Sequence, residues 1–459
     1  MASTPPLPAH YRDGAKKIIS AVLAGNDAYR KLTELCDGIG HRLSGSKALD
    51  RAIAWAEKTL RADGHENVRR EKVMVQRWLR GAASLQMLAP QRRDLPLLAL
   101  GGSVSTPRGG VKARLLVVNS WKELEAQGAK VRGRIVLFND KMLPFTPKRG
   151  VGYGRVVQYR YDGAARAGNL GAVAVLVRSP TAHSLRTPHT GAMSYRKLAK
   201  GKRKIAAAAI TTEDADMLAR LQKAGREIEL RLRLSARTAR AKVPSANVVA
   251  ELRGRDKPDE IVLIGGHIDS WDVGQGAHDD GAGCVMAMEA LAALRRLGMR
   301  PRRTVRVVLF TNEENGLGGA KAYARDHKSE LSKHAATIEA DTGAFEPRGF
   351  SLAMKDKARQ KRAAKRLRQV VSALAPIGAT RVWTGHSGAD LWPMKKLGVL
   401  TMGLRMDISH YFDYHHTRAD TLDKVDPRHL THSTASLAAM AWLLAELPDR
   451  LDDTRRSAK

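Results

Sequence analysis

The stretch Gly265-Gly266-His267-Ile268-Asp269-Ser270-Trp271-Asp272-Val273-Gly274-Gln275-Gly276-Ala277-His278-Asp279-Asp280-Gly281-Ala282-Gly283 restricts the folds open to this chain more than any other. It follows Glu260-Ile261-Val262-Leu263-Ile264, an apolar, β-branched run that predicts a buried strand. It precedes Cys284 to Leu297, apolar on most sides, which predicts a buried helix. A histidine and two carboxylates therefore stand at the carboxyl end of a strand, in a glycine-rich loop opening a helix. Open α/β sheets carry their ligand sites there. Glu313-Glu314 and Asp341 also follow predicted strands, and His416 comes later in the chain.

From Ala246 onward strands and helices alternate, which predicts an α/β fold with a mostly parallel mixed sheet sandwiched by helices. The expected strands are Ala246 to Leu252, Glu260 to Gly265, Thr304 to Phe310, Ala335 to Ala340 and Val399 to Leu404. The expected helices are Gly281 to Leu297, Gly318 to Ser329, Lys357 to Leu374 and Arg428 to Leu447. Residues 11–88 and 241–450 are expected to form one catalytic domain, interrupted by a β-rich insert at 89–240. The insert shows three short buried strands, at Arg114 to Asn119, Gly133 to Phe138 and Gly171 to Val177, separated by short helices at Trp121 to Gln127 and Gly163 to Ala167. It has no clustered His, Asp or Glu, so it reads as a cover without chemistry of its own. Earlier still, helices are expected over Asp13 to Ala24, Asp27 to Cys36 and Ser46 to Ala62, with a glycine–serine loop at Gly38 to Ser46. The Pro-rich residues 1–10 and the last eleven residues are expected to be unstructured.

The chain of 459 residues carries a formal charge of +33. That balance favours anionic surroundings or substrates. Aromatic residues make up only 5%, so stacking platforms for single-stranded nucleic acid are not evident, and no nucleic-acid partner is expected. Two cysteines, Cys36 and Cys284, make no disulfide framework. No apolar run is long enough to span a bilayer. Ile18 to Gly25 after Lys16-Lys17 continues at helical spacing into Tyr29 and Leu32, so it reads as an amphipathic helix and not as a signal peptide.

A hydrolytic two-metal centre needs nitrogen and oxygen ligands on each ion, a shared carboxylate and an open position for water. The candidate ligands are His267, Asp279, Glu314, Asp341 and His416, a mixed set that suits zinc; all-oxygen ligands would point to calcium or magnesium. Glu313, beside Glu314 where the strand breaks, is the candidate general base. Asp269 can accept the second imidazole N–H of His267 and fix its tautomer. Taken singly, each has a plainer reading. Glu313-Glu314 is a solvated loop pair, Asp341 a turn cap, His415-His416 a surface pair and Asp280 a helix N-cap. Their joint placement at successive strand ends is what favours a metal site.

The run from His267 to Gly281, with Asn312-Glu313-Glu314-Asn315-Gly316 and His415-His416-Thr417-Arg418-Ala419-Asp420-Thr421, resembles the M28 metallopeptidase family over nearly the whole chain. That resemblance implies two zinc ions bridged by Asp279, with His267 and Asp341 completing one and Glu314 and His416 the other. It implies Glu313 as base, Asp269 as orienting acid, a cis Asp279–Asp280 peptide and a protease-associated insert in the middle region. Many members have an oxyanion-holding tyrosine where this chain has His415, which makes His415 the candidate for that task. The activity implied is exopeptidase action on short peptides, dipeptides foremost. Aminopeptidase action on longer peptides is the alternative within the same chemistry, and a non-catalytic receptor-like or anion-binding protein the alternative outside it. The resemblance also implies a homodimer and an exported protein, although this N-terminus shows no signal.

Overall fold

The computed structural model describes residues 7–453, so the expectations for residues 1–6 and for the final six residues lie outside the described residues. The chain divides into two units. The first comprises Met1–Val75, Val243–Ile408 and Asp420–Lys459; the second comprises Gln76–Lys242 and Ser409–Ala419.

The first unit is built on a mixed sheet. Its strands are β1 (Glu66–Leu79), β2 (Arg237–Leu252), β3 (Lys257–His267), β4 (Arg303–Phe310), β5 (His334–Glu339), β6 (Pro347–Ala353), β7 (Arg381–Thr384) and β8 (Thr401–Met406), in the spatial order β1-β2-β4-β3-β5-β8-β6-β7. The centre is parallel: β4 with β3, β3 with β5, and β5 with β8. Alternation along each strand divides its residues between two cores. Val262, Ile264, Val305 and Val307 join the helices Ala282–Arg296 and Pro427–Glu446 on one face. Ile261, Leu263, Val308 and Phe310 join Tyr323, Leu391 and Met394 on the other. A sheet buried on both faces needs near-continuous apolar strands, and these supply them.

Two glycines let backbone approach backbone behind the ligand loop. A Cβ on Gly283 would stand 1.8 Å from the carbonyl oxygen of Ala340, and one on Gly266 would stand 2.3 Å from Oδ2 of Asp280. The first helical turn can therefore pack directly on the strand ends.

The second unit has its own sheet, with Val111–Val118, Ile135–Phe138, Ala174–Arg178 and Ala206–Ile210 as a parallel core. The helix expected at Gly163 to Ala167 runs from Tyr153 to Asn169. Its polar half is stabilised by partners that local periodicity cannot show: Asp162 accepts from Lys197 at 2.6 Å, and Arg160 donates to the Tyr153 hydroxyl at 2.9 Å.

Other expectations are corrected. The first helix already begins at Ala9, with Leu7 buried ahead of it. Near the C-terminus Leu451 and Asp452 are buried, and Asp452 pairs with Arg359, so this part of the tail is packed. Strands β6 and β7 were not expected; their short runs carry little periodic signal. Among the described residues no helix is long and apolar enough to cross a membrane.

Candidate metal centre

His267 is the last residue of β3 and is almost fully buried. Its Nδ1 lies 2.9 Å from the main-chain carbonyl oxygen of Asp269. A carbonyl only accepts, so the ring proton sits on Nδ1 and the Nε2 lone pair faces inward. Nε2 is 3.3 Å from Oδ1 of Asp279 and 3.5 Å from Oδ1 of Asp341. An imidazole nitrogen and two carboxylate oxygens gathered in this way could hold a metal ion. Ligand atoms about 2.0–2.1 Å from a tetrahedral zinc stand roughly 3.3–3.4 Å apart, so the observed spacing fits that ion. One imidazole and two carboxylates are also the right donor chemistry.

The electrostatics agree. Burial works against charge on His267, but Asp279 and Asp341 outweigh it and hold its pKa well above the usual imidazole value. Burial raises Glu313 well above an ordinary carboxylate; His267 opposes that, while Asp341 and Glu314 add to it. Glu339, at the end of β5, is pushed up to about 8 by burial and by the charge of Asp341. A desolvated group of acids around one imidazole is a site with excess negative charge, which bound cations neutralise.

The loop geometry has several supports. The Asp279–Asp280 peptide is cis. Asp280 accepts from the main-chain N–H of Gly283 at 3.1 Å, the bond of a capping carboxylate, and from that of His267 at 2.9 Å. Asp269 is placed differently from the expectation. Its carbonyl, and not its carboxylate, holds the His267 ring; the carboxylate is 3.9 Å from Nδ1. That carboxylate instead accepts from the Ser44 hydroxyl at 2.8 Å and from the main-chain N–H of Glu313 at 3.0 Å. It thereby couples the His267 loop to the Glu313 turn. The turn itself reverses at Asn312, whose φ of 66° ends the strand. Glu314 is buried beside it.

Three residues of this framework were not singled out from sequence. Arg42, fully buried, donates to the carbonyls of Gly40, Ile268, Gln275 and Gly276, and so clamps the ligand loop to the N-terminal glycine–serine segment. Asp420 accepts the main-chain N–H groups of His278 and Asp279. His278 is structural. Its Nδ1 accepts from the N–H of Ala344, and its ring stacks on Phe345 with centroids 4.6 Å apart. Only Asp420 carried a signal, its place in the His415 to Thr421 motif. The roles of the other two arise from contacts distant in sequence, 66 positions for His278 with Ala344 and 234 for Arg42 with Gly276.

His415 and His416 belong to the second unit, on the segment after the short helix Tyr411–Tyr414. Both are buried, and their rings stack with centroids 3.6 Å apart. His416 adopts φ 62° and is tied twice to Thr190: its carbonyl accepts the Thr190 N–H at 3.0 Å, and its Nδ1 lies 3.1 Å from the Thr190 carbonyl. Nδ1 of His416 also lies 3.3 Å from Nη1 of Arg160, so this nitrogen is engaged within the second unit. The insert at 89–240 was expected to lack grouped His, Asp or Glu, yet its His183 gathers with His410 and Asp413 of the segment Ser409–Ala419 in the same unit.

The family model described as Peptidase family M28 matches residues 247–441. The mouse protein Carboxypeptidase Q (Mus musculus) is 40% identical over 446 residues, covering 96% of this chain and 91% of its own length. The human Carboxypeptidase Q is 39% identical over 442 residues, covering 96% and 90%. The crystal structure of a Peptidase M28 precursor from Shewanella amazonensis superposes with a TM-score of 0.89 at 34% identity, covering 98% of this chain and 99% of that one. A zinc aminopeptidase from Bacillus subtilis, at 19% identity, 93% and 97% coverage and a TM-score of 0.66, shares the fold. Identity of this extent, together with the His267 cluster at the strand ends, makes the chain a member of peptidase family M28 and a metallopeptidase.

Proposed function

We propose that the protein is an exopeptidase that uses two zinc ions to hydrolyse short peptides, dipeptides foremost, to free amino acids. The observation that carries this reading is the convergence of Nε2 of His267 with carboxylate oxygens of Asp279 and Asp341 at 3.3 and 3.5 Å. In it, His267, Asp341 and Asp279 would hold one ion, and Asp279, Glu314 and His416 would hold the other. Bound zinc supplies a Lewis acid and lowers the pKa of water toward neutrality.

The protein's residues do the rest. Glu313 takes one proton from the attacking water as oxygen bonds to the peptide carbonyl carbon. It returns that proton to the amine nitrogen as the C–N bond breaks, so water is divided between the two products. Asp269 keeps Glu313 in register through the main-chain N–H it accepts. His415 is the donor for the developing oxyanion.

Metal analysis of the purified protein, paired with a panel of dipeptides free or blocked at either end, tests the reading. Two zinc ions per chain and cleavage of free dipeptides are expected. One ion per chain removes the dinuclear scheme. Cleavage of longer peptides in preference to dipeptides makes the enzyme an aminopeptidase.

A further inference from the structure

Parallel pairing sets a row of side chains across the strand ends. Gly265 of β3 pairs with Glu339 of β5, and Glu339 pairs with Gly403 of β8. The ladder continues beyond this point, since the N–H of Ala340 donates to the carbonyl of Gly265. Two residues further along each strand stand His267, Asp341 and Arg405. A step of two returns side chains to the same face, so these three belong to one row. His267 and Asp341 are the metal pair described above, and Arg405 is the next position, one strand spacing further on.

Arg405 lacks what a half-buried guanidinium normally has. Among the described residues no hydrogen bond or ion pair reaches its side chain, and burial alone acts on it, lowering its pKa. Its charged surroundings are basic: His386 feels Arg405 and Lys395 as cations, with Asp341 the one anion acting on it. Past Gly385, a cavity of about 410 Å³ is lined by Lys355, Lys357, Lys395 and Lys396. Charges taken out of water are normally paired, because an uncompensated one is costly. Nothing in the fold supplies the anion, so a ligand is the natural source.

We propose that Arg405, with His386 beside it, receives the α-carboxylate of a peptide's last residue, which makes the terminal peptide bond the one cleaved. The proposal rests on the peptidase reading above and deepens it. The geometry suits it, since one extended residue spans about 3.3–3.6 Å. A scissile carbonyl at the His267–Asp341 pair then places the next carboxylate toward the adjacent strand, roughly 4.8 Å along the sheet, where an arginine side chain can reach it. A guanidinium is also the donor best shaped for a carboxylate, because it can make two parallel bonds.

The test compares kcat/KM on a dipeptide and on the same dipeptide amidated at its C-terminus, for the wild type, Arg405→Gln and Arg405→Lys, with thermal melts to verify folding. The wild type is expected to favour the free acid by about 10- to 100-fold, the range of a charge-assisted hydrogen bond. In Arg405→Gln that preference collapses toward one because the free acid loses kcat/KM; Arg405→Lys, keeping the charge, retains part of it. An equal loss on both substrates, or an unchanged preference, overturns the proposal. A wild type that cleaves the amide as well as the acid overturns the carboxylate subsite and leaves the peptidase reading standing. A zinc-loaded wild type that cleaves neither removes both.

Discussion

The carboxylate of Asp420 accepts the main-chain N–H of Asp279 at 3.2 Å and, through its other oxygen, that of His278 at 2.7 Å. These two bonds hold the backbone on which Asp279 presents its carboxylate to His267. Buried beside that second negative charge, Asp420 itself is pushed up to about 7.

Replacing Asp420 by Ala leaves two buried N–H groups without their acceptor and loosens Asp279. Zinc affinity is expected to fall about 10- to 100-fold, the usual loss when the support of a ligand is removed. Titration against a competing chelator measures it; unchanged affinity refutes this role for Asp420.

Glu313→Gln retains the shape of the side chain and removes the proton acceptor. Zinc content is expected to be unchanged while kcat drops by roughly a thousandfold or more, since water activation and protonation of the leaving amine both depend on this carboxylate. Near-normal turnover would take Glu313 out of the mechanism.

Chelation leaves the inward-facing Nε2 of His267 opposite two carboxylates with no ion between them. Free zinc at a hundred times its dissociation constant should add about 2.7 kcal/mol to stability, so the melting temperature rises with zinc concentration. In Asp341→Ala that dependence should shrink, because one of the converging oxygens is gone. A melting curve indifferent to zinc in the wild type argues against a built metal centre.

His327 and Glu71, 3.0 Å apart, provide a pH handle away from the centre. Burial works against charge on His327, but the bond to Glu71 outweighs it and raises the pKa. Burial likewise pushes Glu71 up, and its bonds with His327 and Arg69 more than reverse that. The raised histidine contributes stability that is complete below about 6.5 and is lost as pH rises through its folded value. The lowered glutamate contributes stability above about 4.3 that is lost as pH falls through its folded value. The pair therefore stabilises most between those limits. Melting temperatures of Glu71→Gln should lose part of the decline that the wild type shows above pH 6.5, and a parallel profile contradicts the assignment.

The α/β class and the principal strands and helices from Ala246 onward were legible in linear sequence, because burial on both faces of a sheet demands continuous β-branched runs whatever else the chain does. His267 and Asp341 stood out as candidates for a related reason, since polar residues directly after such runs are exceptions to the pattern, and Asp279 by its place in the glycine-rich loop opening a helix. What depended on contacts across the fold was not legible. Nothing near Ser44 announces that it will donate to Asp269, 225 positions away, nor anything near Arg42 that it will clamp Gln275, 233 positions away. Asp269 was expected to hold His267 with its carboxylate, whereas its carbonyl does so, since the direction of a side chain follows from backbone angles that composition does not encode. Arg405 was one of 79 basic residues until strand register set it beside Asp341. Sequence specifies which residues are apolar and which can do chemistry; strand pairing, a cooperative property of the whole sheet, decides which of them meet.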